Sequence, residues 1–100
     1  MALLELLSSS CPLTLSNLQN LQREYDSRFV TDCFCGFDKV RHTYAHMGKL
    51  FGRLAEYVQA TEDGGVPSSS DIVEKVIPDL LVYCFWLAES FGVDVEQAYL

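Results

Sequence analysis

The chain has 100 residues, a length that fits one domain and leaves no room for separate catalytic and regulatory units. Its composition, 49% hydrophobic and only 21% charged, excludes a disordered tail and a low-complexity segment. Fourteen acidic against seven basic residues give a net charge of -7. That charge argues against nucleic-acid binding and against an anionic membrane surface, unless the cations are concentrated in one place.

The N-terminal sequence and the cysteines bear on the compartment. Residues 1–12 contain Glu5 and no basic residue before a short apolar run, which is unlike a signal peptide. No apolar stretch reaches the roughly 20 residues of a membrane span. The four cysteines are Cys11, Cys33, Cys35 and Cys84. We expect a cytoplasmic protein with reduced thiols and no membrane contact.

Helical periodicity recurs along the chain and predicts an all-α fold. A first helix is expected from Thr14, a typical N-cap residue, to about Arg28. A second, longer helix is expected from about Asp38 to Thr61. The apolar stripes are Leu15, Leu18, Leu21 and Tyr25 in the first helix, and Tyr44, Met47, Leu50, Phe51, Leu54, Ala55 and Val58 in the second.

A third helix is expected after a loop rich in Gly, Pro and Ser. Ser70 or Asp71 is its predicted cap, and it lasts to about Phe91, where Gly92 is a natural C′ residue. Pro78 lies inside this stretch, so either the helix kinks there or a short turn precedes a helix that begins near Pro78.

The remaining organisation is simple. Asp94 can cap a last short helix from Val95 to Leu100. We take residues 1–12 as an N-terminal arm and residues 13–100 as a single helical domain, with no internal repeat.

The third helix carries few charges for a surface helix. Between Val73 and Ala88 the charged residues are Glu74, Lys75 and Asp79. A helix this apolar needs cover on most sides, more than three helices from one chain provide. We therefore expect a homodimer or homotetramer that completes a helical bundle. The alternative is a well-buried central helix in a monomer.

Three segments of the chain resemble segments of a known enzyme family, and they occur in the same order along the sequence. Residues 79–98 read Asp, an apolar helix with Leu-Ala, then Gly-Val-Asp and a short acidic helix. Residues 52–56 read Gly-Arg-Leu-Ala-Glu, and residues 13–19 read Leu-Thr-Leu-Ser-Asn-Leu-Gln. They resemble the last core helix, the Gly-Glu-Leu-Ala-Glu segment and the first helix of MazG-type nucleotide pyrophosphohydrolases.

The resemblance implies an all-α fold that dimerises or tetramerises. It also implies Mg²⁺-dependent hydrolysis of nucleoside triphosphates to monophosphate and pyrophosphate. The family holds the metal with Glu-Glu-x-x-Glu on its second helix and Glu-x-x-Asp on its third. Carboxylates suit this task because Mg²⁺ prefers oxygen ligands and neutralises the phosphates while it activates water.

This sequence departs from the family at those positions. Lys49 and Arg53 stand at two positions of the first motif, and Val76 replaces the Glu of the second. Asp79 is retained, whereas Glu74 lies about 160° around the helix from the missing ligand. Two cations beside one carboxylate should repel Mg²⁺, so we predict that metal-dependent activity is lost and that no cofactor is bound. The alternative is an active hydrolase with Mg²⁺ on recruited ligands, of which the candidates are Asp79, Glu74, Glu56 and Asp38.

The cations of the second helix are clustered. Residues 39–53 contain four of the seven Lys and Arg residues and no acid. His42, His46, Lys49 and Arg53 follow a spacing of four, three and four, which places them on one face of a helix. This is the face that the resembled family uses for metal.

We predict that this face binds a nucleotide or another small anion. The candidate residues are His46, Lys49, Arg53 and Asp79; Arg suits bidentate phosphate contact and Lys acts as a point charge. The alternative is that Lys49 and Arg53 pair with acids such as Asp79 and Glu56 and stabilise the fold. The preferred function is an oligomeric binding module, and the third option is a structural, partner-binding bundle without a ligand.

Three further patterns of residues have functional interpretations. Cys33-x-Cys35 with His42 and His46 has the ligand types of a zinc site, although Cys-x-Cys is a less typical spacing. Cys35 with His42 has the residue types of nucleophilic catalysis. The aromatic residues considered as platforms for a nucleotide base are Phe34 and Phe37.

Overall fold

A computed structural model describes residues 13–29 and 36–100, with Phe29 described as backbone alone. The predicted N-terminal arm and the proposals on Cys33, Phe34 and Cys35 lie outside these residues. The elements are α1 (Leu15–Phe29), α2 (Gly36–Glu62), a π-helical turn (Ile72–Val76), α3 (Ile77–Ser90) and α4 (Val95–Tyr99). Residues 13–29 and 36–100 contain no strand, so the all-α prediction is confirmed for this part of the chain.

Two of the predicted helix caps form as expected. The hydroxyl of Thr14 accepts a hydrogen bond of 3.0 Å from the backbone N–H of Asn17, at the start of α1. The carboxylate of Asp94 accepts one of 3.0 Å from the N–H of Gln97, at the start of α4. Each satisfies a backbone donor that the first turn of a helix leaves unpaired.

Both α2 and α3 end in the same left-handed turn. Gly64 has φ +86° and Gly92 has φ +65°, a region that residues with a Cβ rarely adopt. After α3, the N–H of Val93 donates to the carbonyl of Ala88 at 2.9 Å. This bond closes a Schellman motif and confirms the predicted C′ role of Gly92.

Pro78 determines how the third helical segment is built. The ring lacks an N–H and would collide with the carbonyl four residues earlier in a regular α-helix. The chain adopts the wider π-helical turn just before it, in which Ile77 N–H bonds to Ile72 O, and α3 begins at Ile77. The predicted cap is wrong: Asp71 is already helical and makes no capping bond, while Ser68 Oγ accepts from Ser70 N–H at 3.2 Å.

The helix α3 lies at the centre of the molecule. The long helix α2 packs along it, and α1 contacts it near its C-terminal end, while α4 packs on α1. The fully buried apolar side chains of the described region are few: Leu50, Val76 and Phe85. Thr43 is also fully buried, and its hydroxyl donates to the carbonyl of Lys39 at 2.8 Å, so it carries no unpaired group into the core.

A buried amide joins α1 to the end of α3 and the start of α4. The side chain of Gln19 is 2% exposed; its Nε2 donates to Glu89 Oε1 at 2.8 Å and to the carbonyl of Val93 at 2.9 Å. Its Oε1 accepts from the N–H of Val95 at 2.8 Å. Arg23 adds two bonds to Glu89, at 2.7 and 2.9 Å, and this pairing lowers the pKa of the Glu89 carboxyl.

The acids of α4 complete the contact with α1. Ser16 donates its hydroxyl to Asp94 at 2.9 Å and to Glu96 at 3.1 Å. Glu96 also accepts from the N–H of Leu15, at the positive end of the α1 dipole. The bonds from Gln97 N–H and Ser16 lower the pKa of Asp94. The first and last described helices are therefore held together by polar contacts.

We predict that Gln19→Leu lowers the free energy of unfolding by about 1–3 kcal/mol, because it removes the partner of the partly buried Val95 N–H and Val93 C=O. Urea denaturation followed by circular dichroism measures this change. Gln59→Leu is the matched control, since Gln59 is exposed and its amide donates to Asp63, just after the end of α2. Equal effects of the two substitutions would contradict the role given to Gln19.

Candidate functional site

The histidine face of α2, formed by His42, His46, Lys49 and Arg53, is the face that the sequence singles out. Its first half packs against α3. The ring of His42 stacks on Trp86 with centroids 5.8 Å apart, and the ring of His46 stacks on Tyr83 at 5.3 Å. The two histidine rings are 4.3 Å apart, and Tyr83 meets Trp86 edge to face at 5.7 Å. These four rings, the ring cluster, form one aromatic contact between α2 and α3.

The charges around the ring cluster change its titration. Burial, followed by the charges of His42 and Lys49, lowers the pKa of His46. Burial, followed by the charge of Asp79, raises the pKa of Tyr83. The ring of His46 contacts Tyr83, and Asp79 lies four residues before Tyr83 on the same side of α3.

The second half of the histidine face is solvent-exposed. Arg53 Nη1 lies 3.9 Å from Asp71 Oδ1, with both side chains half exposed, which makes a loose surface pair. The acid beside Arg53 is thus Asp71 and not the expected Asp79 or Glu56. Lys49 makes no ion pair with any described residue. Two cations of the predicted anion site are therefore accessible.

An acidic residue that sequence reasoning missed lies on the α1 side of the ring cluster. Burial raises the pKa of Asp26, while a bond of 2.9 Å from Gln22 and the nearby N–H of Trp86 oppose that rise. The indole nitrogen is buried and has no acceptor at hydrogen-bonding geometry in the described region. Lys39 lies 5.7 Å above the indole ring. No spacing in the sequence relates Asp26 to α2 or α3, because the contact is purely tertiary.

The described residues form no group of carboxylates placed to hold Mg²⁺. Within residues 13–29 and 36–100, no group of three or more His, Cys, Asp or Glu side chains is placed to hold a metal ion. The carboxylates considered as recruited ligands are consequently not clustered; these are Asp38, Glu56, Glu74 and Asp79. Lys49 and Arg53 add positive charge where the resembled family has acids.

The opposite side of α2 carries exposed apolar side chains. The expected apolar stripe divides: Leu50 is buried and Met47 and Leu54 are half-buried, whereas others point to solvent. We call the exposed set Phe37, Tyr44, Phe51 and Val58 the apolar face of α2. An open groove of about 310 Å³ runs beside it, lined by Val40, Tyr44, Met47, Gly48 and Phe51 of α2 and by Leu87 of α3.

The apolar exposure continues on α3 and the turn before it. Val73, Ile77, Leu81 and Phe91 are exposed, and so is the Cys84 thiol. Cys84 and Phe91 lie three residues before and four residues after Leu87, on its side of α3. The groove and the exposed apolar residues of α3 thus belong to one face of the α2–α3 hairpin.

Comparisons with known proteins add no relative: no family model, curated protein or solved structure matches the chain. The resemblance to the MazG-type enzymes accordingly rests on the sequence segments quoted above and on the helical fold. Among the described helices, none combines the length and apolarity needed to cross a membrane.

We predict that a proton NMR titration of the His46 ring gives a pKa below 6.5, and that Lys49→Gln raises it by removing a nearby positive charge. Because the pKa is lowered in the folded state, His46 takes up its proton at a lower pH than it does in the unfolded chain. Its contribution to stability is therefore present above pH 6.5 and is lost as the pH falls. Lys75→Gln, in the π-helical turn, is the control; an unchanged His46 pKa in Lys49→Gln would contradict the proximity.

We predict that inorganic phosphate, without metal, raises the melting temperature through Lys49 and Arg53. With a Kd near 1 mM, 10 mM phosphate would add about 1.4 kcal/mol, or roughly 5–10 °C for a domain of this size. Arg53→Glu should abolish the rise. Arg28→Glu is the control, since Arg28 is equally exposed but lies on α1, paired with Glu24. The same rise in both variants would show general salt stabilisation and exclude the site.

Proposed function

We propose that this protein is a non-catalytic, self-associating helical interaction module, in which copies join through the apolar face of the α2–α3 hairpin to complete a larger bundle. The observation that carries the proposal is the row of large apolar side chains exposed on α2, continued by Ile77 and Leu81 of α3. Contiguous exposed apolar surface of this kind usually marks a protein–protein contact.

The size of the core supports self-association. In the described region, three apolar side chains are fully buried, although 49% of the whole sequence is hydrophobic. Exposed apolar residues are common on any protein, but a row of them along a 27-residue helix is not scattered exposure. Burying this row against another copy would add the apolar contact that a domain of this size lacks by itself.

The chemistry of the histidine face supports a non-catalytic role. The MazG-like pattern implies a helical bundle that is completed by a dimer or tetramer. Lys49, Arg53 and Val76 stand at positions where that pattern needs carboxylates. The exposed Lys49 and Arg53 suit a nucleotide or other small anion held without metal. We place the module in the cytoplasm, where the exposed Cys84 thiol would stay reduced.

We expect the protein to sediment as a dimer or tetramer at micromolar concentrations, and Phe51→Glu to shift it to monomer by placing two charges in the apolar contact. Sedimentation velocity and light scattering measure both. Val66→Glu is the control, because Val66 is almost fully exposed in the loop between α2 and α3.

Two results would contradict the proposal. A wild-type chain that stays monomeric up to about 200 µM would exclude self-association at the weakest affinities typical of specific complexes. Release of pyrophosphate from nucleoside triphosphates with Mg²⁺ or Mn²⁺, lost in Asp79→Ala, would favour the hydrolase alternative.

A further inference from the structure

The apolar face of α2 repeats with a period of seven residues. Phe37, Tyr44, Phe51 and Val58 are spaced by seven, and all four are exposed. Three half-buried residues stand between them at the second position of the same repeat: Val40, Met47 and Leu54. Apolar residues at alternating spacings of three and four, over three heptads, form the seam along which one helix packs lengthwise on another.

The groove beside the seam gives the partner a place to insert side chains. Its lining is apolar on both helices, with Met47 and Gly48 on α2 and Leu87 on α3. Gly48 widens it, since nothing lies within 4 Å of the position that a Cβ would occupy there. The surface therefore fits the ridge of an apolar helix, which packs its side chains into such a groove.

The charges that flank the seam match those of a second copy only when the two α2 helices are antiparallel. Arg41 and Glu62 lie on the same flank at opposite ends of α2, 21 residues or about 31 Å apart. In an antiparallel pair, Arg41 of each copy lies beside Glu62 of the other. In a parallel pair, each Arg41 lies level with its equivalent and far from any Glu62.

Two small residues on the same flank, Gly48 and Ala55, are also placed symmetrically for an antiparallel pair. The midpoint between Arg41 and Glu62 falls between Phe51 and Gly52, and Gly48 and Ala55 are equally distant from it. An antiparallel pair therefore brings Gly48 of one copy against Ala55 of the other, near the axis. Small residues there let the two backbones approach to the 8–10 Å typical of packed helices.

The area is sufficient for a stable pair. Phe37, Tyr44 and Phe51 are 69%, 76% and 54% exposed, which leaves roughly 400 Å² on each copy if a whole aromatic side chain has about 200 Å². Two copies would bury about 800 Å² through these rings. The adjoining Val58 and Ile77 bring the total to the roughly 1,000 Å² that a specific interface needs.

From these observations we infer that the partner of the seam is a second copy of this chain, with the two α2 helices antiparallel about an axis beside Phe51 and with Arg41 of each copy facing Glu62 of the other. The inference rests on the self-association proposed above and specifies its geometry. The two α2–α3 hairpins then form a four-helix bundle around the seams.

Charge reversal tests the direction of the pair. Arg41→Glu and Glu62→Arg should each raise the dimer Kd about tenfold at roughly 50 mM salt, because two attractive contacts become repulsive. The double variant should return to within about twofold of the wild-type Kd. Both reversals place charge favourably for the α2 dipole, so a weaker dimer would not come from a weaker helix. Arg28→Glu, on α1, is the control for net charge.

Glycine substitution tests the axis. Gly48→Gln and Gly52→Gln both replace a glycine in a helix interior where an added Cβ meets nothing within 4 Å. Each should stabilise α2 in the single chain by relieving the helix cost of glycine. Gly48→Gln should raise the dimer Kd at least tenfold by blocking close approach, while Gly52→Gln, which lies about 100° around α2 from Phe51 against about 60° for Gly48, should raise it less.

The outcomes separate the inference from the proposal beneath it. The antiparallel seam would be overturned, with self-association intact, if the double charge-reversal variant had a higher dimer Kd than either single variant. Equal dimer Kd values for the Gly48 and Gly52 variants would have the same meaning. Dimerisation that Phe51→Glu does not weaken would overturn the seam as the contact surface. A wild-type monomer at all concentrations would exclude both statements, and a foreign partner or the chain's own residues 1–12 would then cover the face.

Discussion

An apolar central helix that must be covered on several sides is the constraint on which this structure depends. α3 packs against α2 and also contacts α1, on which α4 packs. The side bearing Ile77, Leu81 and Cys84 is left exposed in the described part of the chain. Because α2 exposes its own apolar face next to it, the uncovered surface is continuous across two helices. The need to bury that surface connects the fold directly to the proposed association.

The contact of α3 with α2 differs in kind from its contact with α1. Its contact with α2 is aromatic, through the ring cluster. Its contact with α1 is polar, through Gln19 and the Arg23–Glu89 pair. A buried amide with its donors and acceptor satisfied is directional, so it sets where α1 and α4 meet the end of α3. Apolar packing alone would leave that position less well defined.

The two sides of α2 explain why an acidic chain can have a basic site. The net charge is -7, yet the histidine face carries Lys49 and Arg53 exposed, with a loose contact to Asp71. The opposite side is apolar and carries charge only at its flanks, on Arg41 and Glu62. The helix thus separates two binding properties. In the function proposed above, an anion binds one side while another copy covers the other.

The sequence was sufficient for the local structure. Thr14 and Asp94 as caps and Gly92 as a left-handed terminator all follow from the preferences of single residues, and all are present in the structure. Pro78 left two alternatives open, and the structure has helix on both sides of a π-helical turn that precedes it. The predicted cap at Ser70 or Asp71 is wrong because the π-helical turn before Pro78 continues the helix back through both residues. The spacing of the histidine face was also visible, since it depends only on helical periodicity.

Contacts between residues distant in the sequence were decided by the tertiary structure alone. Gln19 reads as a surface residue beside other polar ones, but the end of α3 and the start of α4 bury it. Tyr44 and Phe51 read as core, yet α2 has an apolar arc wider than α3 can cover, so half of it stays exposed. The sequence by itself determined which residues are helical and which share a face, because those properties depend on neighbours a few positions away. Which face is buried, and which acid meets Arg53, depended on how the helices pack.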